Sequence, residues 1–253
     1  HGGQRLTEAL GASKQELIVR CLRSLVGAIN VCTLAPCQMI GNADIGFTIL
    51  DDHSSPRTLA RIKAVLGNCK VKPELHSLEG RGNNRSLLRQ FVLARQSRAD
   101  YVYCVEDDYM HFPDGLKAML ETAGVLVKLT GNENISLHPD DDVWNYRKYD
   151  PCRVVAGSDR LWRTNVDTTG TFMTPPKIIN DNWGWFEMLA AGYGENGIHE
   201  GNTINHVWRT KANLFTPLMP CAVHMGCDAP PFCGWRDLWD QLGEDHERRT
   251  DAA

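Results

Sequence analysis

Three consecutive carboxylates, Glu106, Asp107 and Asp108, directly follow the apolar run 101–105. That run is rich in strand-forming residues and has no polar face, which is typical of a strand buried within a sheet. Acids at the end of a buried strand need partners, because an unpaired buried carboxylate is costly and its pKa rises. Mg²⁺ and Mn²⁺ prefer such crowded oxygen ligands, so the sequence predicts a divalent-metal site here.

The spacing within this triplet allows two of the acids to bind different ligands. Side chains alternate along a strand, so Glu106 and Asp108 share one face with α-carbons about 7 Å apart. One acid can hold a metal while the other holds a sugar hydroxyl or a metal-bound water. In open α/β sheets, ligands bind outside the carboxyl ends of the strands, where these acids lie. The alternative is a solvated strand exit whose acids cap the next helix.

Helices and strands alternate on both sides of this strand in the first half of the chain. A capping box at Ser13 and Glu16 and an apolar period predict a helix at 14–29. Strands are expected around 46–50 and 71–78, each followed by a helix. Such alternation is typical of βαβ units, so we predict an α/β fold with a mainly parallel central sheet flanked by helices. The second half is less regular, with a strand at 171–173 and short helices at 182–191 and 200–210.

Length and composition are those of an ordinary globular protein. The 253 residues can bury one core, and 42% of them are hydrophobic and 23% charged. A net charge of −4 provides no general attraction to nucleic acid. No apolar run approaches the roughly 20 residues that a membrane-spanning helix needs. We expect a single domain over 1–253, no nucleic-acid partner, no transmembrane segment, and a frayed tail at 243–253.

The nine cysteines are not spaced like a small disulfide framework. Most of them are expected to be reduced, which favours a cytoplasmic location. One group remains as a candidate structural zinc site, because four soft ligands lie within 13 residues. These ligands are Cys221, His224, Cys227 and Cys233, although their spacing is not that of a standard zinc motif.

Five short motifs follow one another in a fixed order. They are Asp51-Asp52-His53-Ser54 at a strand end, Gly82-Asn83-Asn84-Arg85 before a helix, Glu106-Asp107-Asp108, Asn180-Asp181 ahead of Gly192-Tyr193, and His224 near the end of the core. Together they resemble the nucleotide-sugar-dependent glycosyltransferases of the GT-A fold, especially the inverting family 2, over about residues 14–226. The chain departs from that family where Glu106 replaces Asp and where Asn180 replaces Glu.

The resemblance implies a GT-A-like, Rossmann-like fold in a single domain. Its nucleotide-binding half would extend to about residue 126, and its acceptor-binding half would cover about 127–242. In the family a first strand precedes the first helix and contacts the nucleotide base. Residues 1–5 resemble the loop that follows this strand, so we expect the strand itself to lie upstream of residue 1.

The resemblance also implies roles on the donor side. Asp51 or Asp52 would hydrogen bond the base or the ribose, with Arg85 in support. Glu106 and Asp107 would hold the rest of the nucleoside. Asp108 and His224 would bind Mn²⁺ or Mg²⁺, which neutralises the diphosphate leaving group as a Lewis acid.

On the acceptor side, Asp181 is the predicted general base, and Glu187 is the second choice. A carboxylate beside the acceptor is needed because the attacking hydroxyl must lose its proton. Trp183 and Trp185 carry flat faces that can stack on sugar rings, so they are candidates for an acceptor platform. The alternative is that both are core aromatics.

The function expected from these residues is metal-dependent transfer of a sugar from a nucleotide-diphosphate sugar, with inversion. A UDP-sugar is the favoured donor and a GDP-sugar the second, while the acceptor is a hydroxyl on a carbohydrate or another molecule. Three alternatives remain: a retaining transferase of the same fold, a nucleotidyltransferase, and a non-catalytic binding module with structural zinc. Fold alone does not separate them.

Overall fold

The computed structural model describes residues 10–35, 37, 41–147, 151–227 and 233–250, with side chains up to residue 243. Helices and β-sheets occur in this one chain, which confirms the predicted α/β class. The strands are β1 (Phe47–Asp51), β2 (Pro73–Ser77), β3 (Val102–Cys104), β4 (Tyr109–His111), β5 (Ile135–Leu137), β6 (Val154–Ala156), β7 (Leu161–Asn165), β8 (Phe172–Thr174), β9 (Asn213–Pro217) and β10 (Ala222–His224). The helices are α1 (Lys14–Leu34), α2 (Pro56–Leu66), α3 (Asn83–Gln96), α4 (Gly115–Thr130), α5 (Trp144–Arg147), α6 (Pro176–Asp181), α7 (Trp183–Gly192), α8 (Asn205–Thr210) and α9 (Trp235–Thr250), with a 3-10 turn at Glu200–Asn202.

The largest sheet has six strands in the order β3-β8-β5-β9-β7-β6. Only β5 and β9 pair in parallel there, while β3–β8, β5–β8, β6–β7 and β7–β9 are antiparallel. The expectation of a mainly parallel central sheet is therefore wrong. Its cause lies in the second half, where a short loop joins β6 to β7 as a hairpin, a connection that only antiparallel strands can make.

The predicted βαβ pattern does hold at the start of the chain. Strands β1 and β2 pair in parallel, from Phe47 opposite Pro73 to Asp51 opposite Ser77, and α2 connects them. Helix α2 begins as expected, because the Ser55 side chain accepts a hydrogen bond from Thr58 N and proline occupies the first turn. Asp51 and Asp52 are thereby placed at the carboxyl end of a strand.

Helix α1 has 21 residues, and a window within it has a mean hydropathy of 1.6, so it is long and apolar enough to cross a membrane. A core helix and a signal sequence both have these properties. Here the helix packs its apolar residues against β4, α2 and α4, and 44% of the window is buried inside the fold. Leu17 belongs to one hydrophobic cluster with Met110, and Val19 belongs to another with Ile62.

An aromatic cluster supports the main sheet next to the acidic strand end. Phe91 of α3 lies 5.3 Å from Phe186 of α7 and 6.2 Å from Phe172 of β8, measured between ring centroids. Asn84 Nδ2 at the start of α3 donates to Ala191 O at the end of α7. The two helices are therefore antiparallel, and α7 directs Tyr193 towards the carboxyl end of β3.

Helix α9 packs on α1 at the other side of the molecule. Trp239 is buried there, and the Arg20 guanidinium lies 4.4 Å from the centroid of its ring. The helix continues to Thr250, through most of the segment that we expected to be a frayed tail from residue 243.

Replacement of Phe91 by alanine tests the importance of this aromatic cluster. The side chain is fully buried, so Phe91→Ala should lower the free energy of unfolding by about 3–5 kcal/mol. Urea denaturation followed by circular dichroism measures this change. Leu129→Ala is the control, because Leu129 is 73% exposed and should change stability by no more than about 0.5 kcal/mol. Equal effects of the two variants would contradict the assignment of this core.

Candidate active site

The acidic strand end meets a histidine that is more than a hundred residues away in sequence. Strand β10 pairs antiparallel with β4, which places His224 opposite Tyr109. The two rings stack with centroids 4.7 Å apart and planes 10° apart. His224 Nε2 then lies 3.1 Å from Asp108 Oδ2, and Met225 N donates to the Asp108 carbonyl over 2.9 Å. The structure thus brings together the two residues that the sequence analysis proposed as metal ligands.

Burial and the hydrogen-bond partners of His224 have opposite effects on its pKa, and together they set its charge. Burial alone would lower its pKa, but hydrogen bonds to Asp108 and to Cys227 Sγ, 3.2 Å from Nδ1, outweigh burial and raise the pKa to about 11. At neutral pH the ring is an imidazolium paired with the Asp108 carboxylate. A divalent cation between the two groups would take the place of the shared proton.

Glu106 and Asp108 both lie beyond the end of β3, which is a three-residue strand at the edge of the sheet, so the expectation of a buried strand that continues to the acids is wrong. Glu106 is held by the loop before β8. Its backbone N–H donates to Thr171 Oγ1 over 3.0 Å, and that hydroxyl lies 3.2 Å from Glu106 Oε2. Burial, and after it the charge of Asp108, raises the pKa of Glu106 to about 7. Gly170 makes room for this carboxyl group, because a Cβ there would lie 2.9 Å from its carbon.

Two observations bear on whether a metal ion fits beside Asp108. Asp108 Oδ1 is buried and has no hydrogen-bond partner within the described part of the chain. Gly226 leaves open space, since a Cβ there would lie 2.9 Å from both Asp108 Oδ2 and His224 Nε2. An unsatisfied carboxylate oxygen, an imidazole nitrogen and open space beside them match the donors that Mn²⁺ accepts.

A complete metal cage is not present in the protein itself. Across residues 10–35, 37, 41–147, 151–227 and 233–243, no group of three or more His, Cys, Asp or Glu side chains could hold a metal ion. Mg²⁺-type sites in nucleotide enzymes use one or two carboxylates, and substrate phosphates complete them. The pair Asp108 and His224 fits that kind of site. The proposed zinc set of Cys221, Cys227 and Cys233 with His224 is not formed among these described residues.

The first acid pair is linked to the loop before α3. Asp52 Oδ2 accepts a hydrogen bond from Gly82 N over 2.9 Å, and this bond lowers the pKa of Asp52 more than any other interaction. Asp51 is buried and accepts from Ser54 N over 3.2 Å. The Arg85 side chain lies over Gly80, where a Cβ would come within 2.5 Å of Arg85 Cδ. The two sequence motifs that contain these residues therefore meet in space.

Asp181, the predicted base, lies far from this site. Strand β8 runs antiparallel to β3, so the residues after β8 lie at the amino end of β3, opposite Glu106. In agreement, Asn180 Nδ2 donates to Arg95 O at the end of α3, and Asp181 is exposed and paired with Lys177. The sequence alone did not reveal the direction of β8, which decides this position.

The other predicted acceptor-side residues are also not part of the acidic site. Glu187 is exposed on α7. Trp183 packs against the core and stacks with the Arg95 guanidinium at 4.2 Å, and Trp185 contacts the His206 ring at 4.6 Å between centroids. Both tryptophans are partly buried, so their positions agree with the alternative that they are core aromatics.

A second acidic triplet, which was not recognised in the sequence, contributes Asp140 to the site. Asp140 follows β5 and accepts a hydrogen bond from His224 N through Oδ2 over 3.2 Å. It is buried, which raises its pKa to about 7. A signal was present, because the short segment Ile135-Ser136-Leu137 is followed after two residues by three aspartates. The same reasoning that identified Asp108 would have identified Asp140.

Glu200 is the second residue that was missed. It begins the 3-10 turn, and after burial its charge is the largest cause that raises the pKa of Tyr193. It also lines a cavity of about 500 Å³ beside the acidic site. No sequence pattern marked it, since an isolated glutamate in a loop has no distinguishing periodicity. Other residues of the cavity wall are Asp142, Trp144, Asn165, Asp167 and Arg209.

The site is therefore assembled from distant segments: the end of β3, the loop after β5, the turn at Glu200–Asn202 and β10. Comparison of the chain with models of known protein families and with curated proteins returned no match. Function is consequently inferred from the geometry and the chemistry of the site.

Replacement of Asp108 by asparagine tests the pairing with His224. Without the carboxylate, only Cys227 opposes the effect of burial, so the His224 pKa should fall well below about 11. Histidine titration by NMR on EDTA-treated protein measures this shift. In the wild type, the folded-state pKa of His224 lies above the ordinary value of this residue. The ion pair with Asp108 therefore stabilises the fold fully below about pH 6.5, and this stabilisation is lost as pH rises through 11. An unchanged pKa in Asp108→Asn would contradict the pairing.

Proposed function

We propose that the protein is a metal-dependent glycosyltransferase that moves a sugar from a nucleotide-diphosphate sugar to an acceptor hydroxyl. The observation that carries this proposal is the meeting of Asp108 and His224 at the carboxyl end of β3, next to Glu106, with Asp108 Oδ1 unsatisfied among the described residues. A UDP-sugar is the favoured donor.

Sugar transfer requires that the negative charge growing on the departing diphosphate be neutralised. Asp108 and His224 would hold Mn²⁺ or Mg²⁺, and the ion supplies Lewis-acid stabilisation when it is bound. Glu106 is placed to accept a hydrogen bond from a ribose or sugar hydroxyl, because Thr171 and Gly170 hold its carboxyl group beside Asp108. The carboxylate of Asp108 would thus bind the cation, and the carboxylate of Glu106 would accept hydrogen bonds from hydroxyls.

The nucleoside would bind near the end of β1. Asp52 has its pKa lowered by the Gly82 hydrogen bond and therefore keeps a charged carboxylate that can accept from a base N–H or from ribose hydroxyls. The parallel pair β1–β2 and the acids at the ends of β1 and β3 support a GT-A-like arrangement within the α/β class. The free thiols of all nine cysteines suit the proposed cytoplasmic location.

Calorimetric titration with UDP, with and without Mn²⁺, tests this function, followed by GDP and CDP. Wild-type protein should bind one of these diphosphates only with the metal. In Asp108→Asn, affinity should fall by roughly 10–100-fold, which corresponds to a lost interaction of about 1.5–3 kcal/mol with a charged group. Asp100→Asn is the matched control, because Asp100 is exposed at the opposite end of the same strand.

Equal binding with and without Mn²⁺, or equal losses in the two variants, would refute the metal–diphosphate role of Asp108. Failure of all three diphosphates to bind, in protein that folds normally by circular dichroism, would refute the proposed function as a whole.

A further inference from the structure

We infer that the cavity beside the acidic site binds a neutral saccharide acceptor, and that Glu200 takes the proton from its attacking hydroxyl. This inference rests on the proposed function. It names the class of acceptor and assigns the role of base to Glu200 instead of Asp181. Asp181 is exposed and lies at the opposite end of β3.

The cavity is directly connected to the acids. Thr169 lines it, and the Thr169 and Tyr109 hydroxyls are hydrogen bonded over 2.7 Å. Tyr109 in turn stacks on His224, so the wall at Thr169 lies next to the acidic site, and Glu200 lines the same cavity. An acceptor in the cavity would therefore have Glu200 on one side and the donor site on the other.

The walls have the chemistry of a carbohydrate site. A saccharide presents many hydroxyls and flat apolar ring faces, so its site needs hydrogen-bonding side chains and an exposed aromatic ring. Trp144 is 56% exposed at the cavity, and Asp142 Oδ1 accepts from its backbone N–H over 2.8 Å and so fixes its helix start. Asn165 and Asn205 also line the wall, with their amide groups hydrogen bonded to Asp167. The volume of about 500 Å³ lies in the usual range of small-molecule sites, roughly 300–1,000 Å³.

The charge of the walls excludes an anionic acceptor. Asp142, Asp167 and Glu200 contribute carboxylates. Among the described lining residues Arg209 is the only lysine or arginine, and its guanidinium pairs with Asp167 over 2.6 Å. A phosphorylated or carboxylated acceptor would be repelled, whereas a neutral polyhydroxyl compound would find acceptors for its O–H groups.

Glu200 is held in a fixed position. The turn that carries it is closed on both sides, since His199 Nδ1 accepts from Gly201 N over 3.0 Å and Asn202 Oδ1 accepts from His199 N over 3.0 Å. A carboxylate that is ordered before the acceptor arrives loses less conformational entropy in the reaction.

The transfer step balances with these groups. The acceptor O–H bond breaks and its proton passes to the Glu200 carboxylate. The oxygen forms a bond to the anomeric carbon of the donor. The bond between that carbon and the diphosphate oxygen breaks, and its electron pair leaves with the diphosphate. One displacement of this kind inverts the anomeric configuration, which agrees with the inverting chemistry that the resemblance implies.

Saccharide binding is tested by ligand-observed NMR with methyl glycosides of glucose, galactose, mannose and N-acetylglucosamine. At least one should bind to wild-type protein, and Trp144→Ala should weaken its binding by at least about 10-fold. Met188→Ala is the control, because it removes an exposed apolar side chain, 46% exposed, on the outer face of α7. Absence of binding by all four compounds, or equal weakening by both variants, would overturn the saccharide assignment.

The role of Glu200 is tested by kinetics with the saccharide that binds as acceptor. Glu200→Gln should lower kcat by roughly 10²–10⁴-fold while it leaves Mn²⁺-dependent diphosphate binding unchanged. Glu200→Asp should restore part of the rate, and Glu133→Gln, at an exposed position before β5, should have no effect. An unaltered kcat in Glu200→Gln would overturn the assignment of the base.

These outcomes separate the two proposals. If wild-type protein binds no diphosphate, the proposed function fails. If it binds a diphosphate with the metal but no saccharide, or if Glu200→Gln transfers at the normal rate, only the further inference fails.

Discussion

The ion pair between Asp108 and His224 is the interaction on which the candidate site depends. It is formed only because β10 returns to pair with β4, which places the histidine ring on Tyr109 and its Nε2 against the carboxylate. The same pairing orders Asp140 beneath the pair through the His224 backbone. Three chain segments are therefore held together by one short antiparallel ladder at the edge of the site.

The main constraint on this arrangement is that several of its carboxylates are buried. Glu106 and Asp140 both have a pKa near 7 because burial disfavours their charged forms. A hydroxyl from Thr171 and the His224 backbone N–H stabilise them in part. Gly170 lets the chain approach Glu106 closely, and Gly226 lets it approach Asp108, since a side chain at either position would meet that acid. A bound cation and substrate hydroxyls would satisfy the remaining oxygens.

Local sequence signals predicted the first half of the fold well. The capping residues of α1 and α2, and the alternation that gave β1, α2 and β2, act between neighbouring residues and can be read without a structure. The acidic end of β3 was predicted for the same reason. The mixed sheet was not predicted, because strand direction depends on pairing partners that are far apart in sequence, and three-residue strands such as β5 and β8 carry little periodicity.

The sequence by itself determined the α/β class and the position of the acids after β3, because residue type and local period were sufficient. The candidate pair of Asp108 and His224 came from the resemblance to glycosyltransferases and not from a local pattern. Tertiary structure alone decided which carboxylate lines the cavity beside the acidic site. Asp181 matched a family motif, yet the antiparallel direction of β8 carries it to the opposite end of the sheet. Glu200 matched no motif, and a turn after α7 places it at the cavity. Long-range pairing sets these positions, and it depends on the burial of the whole core rather than on any local pattern.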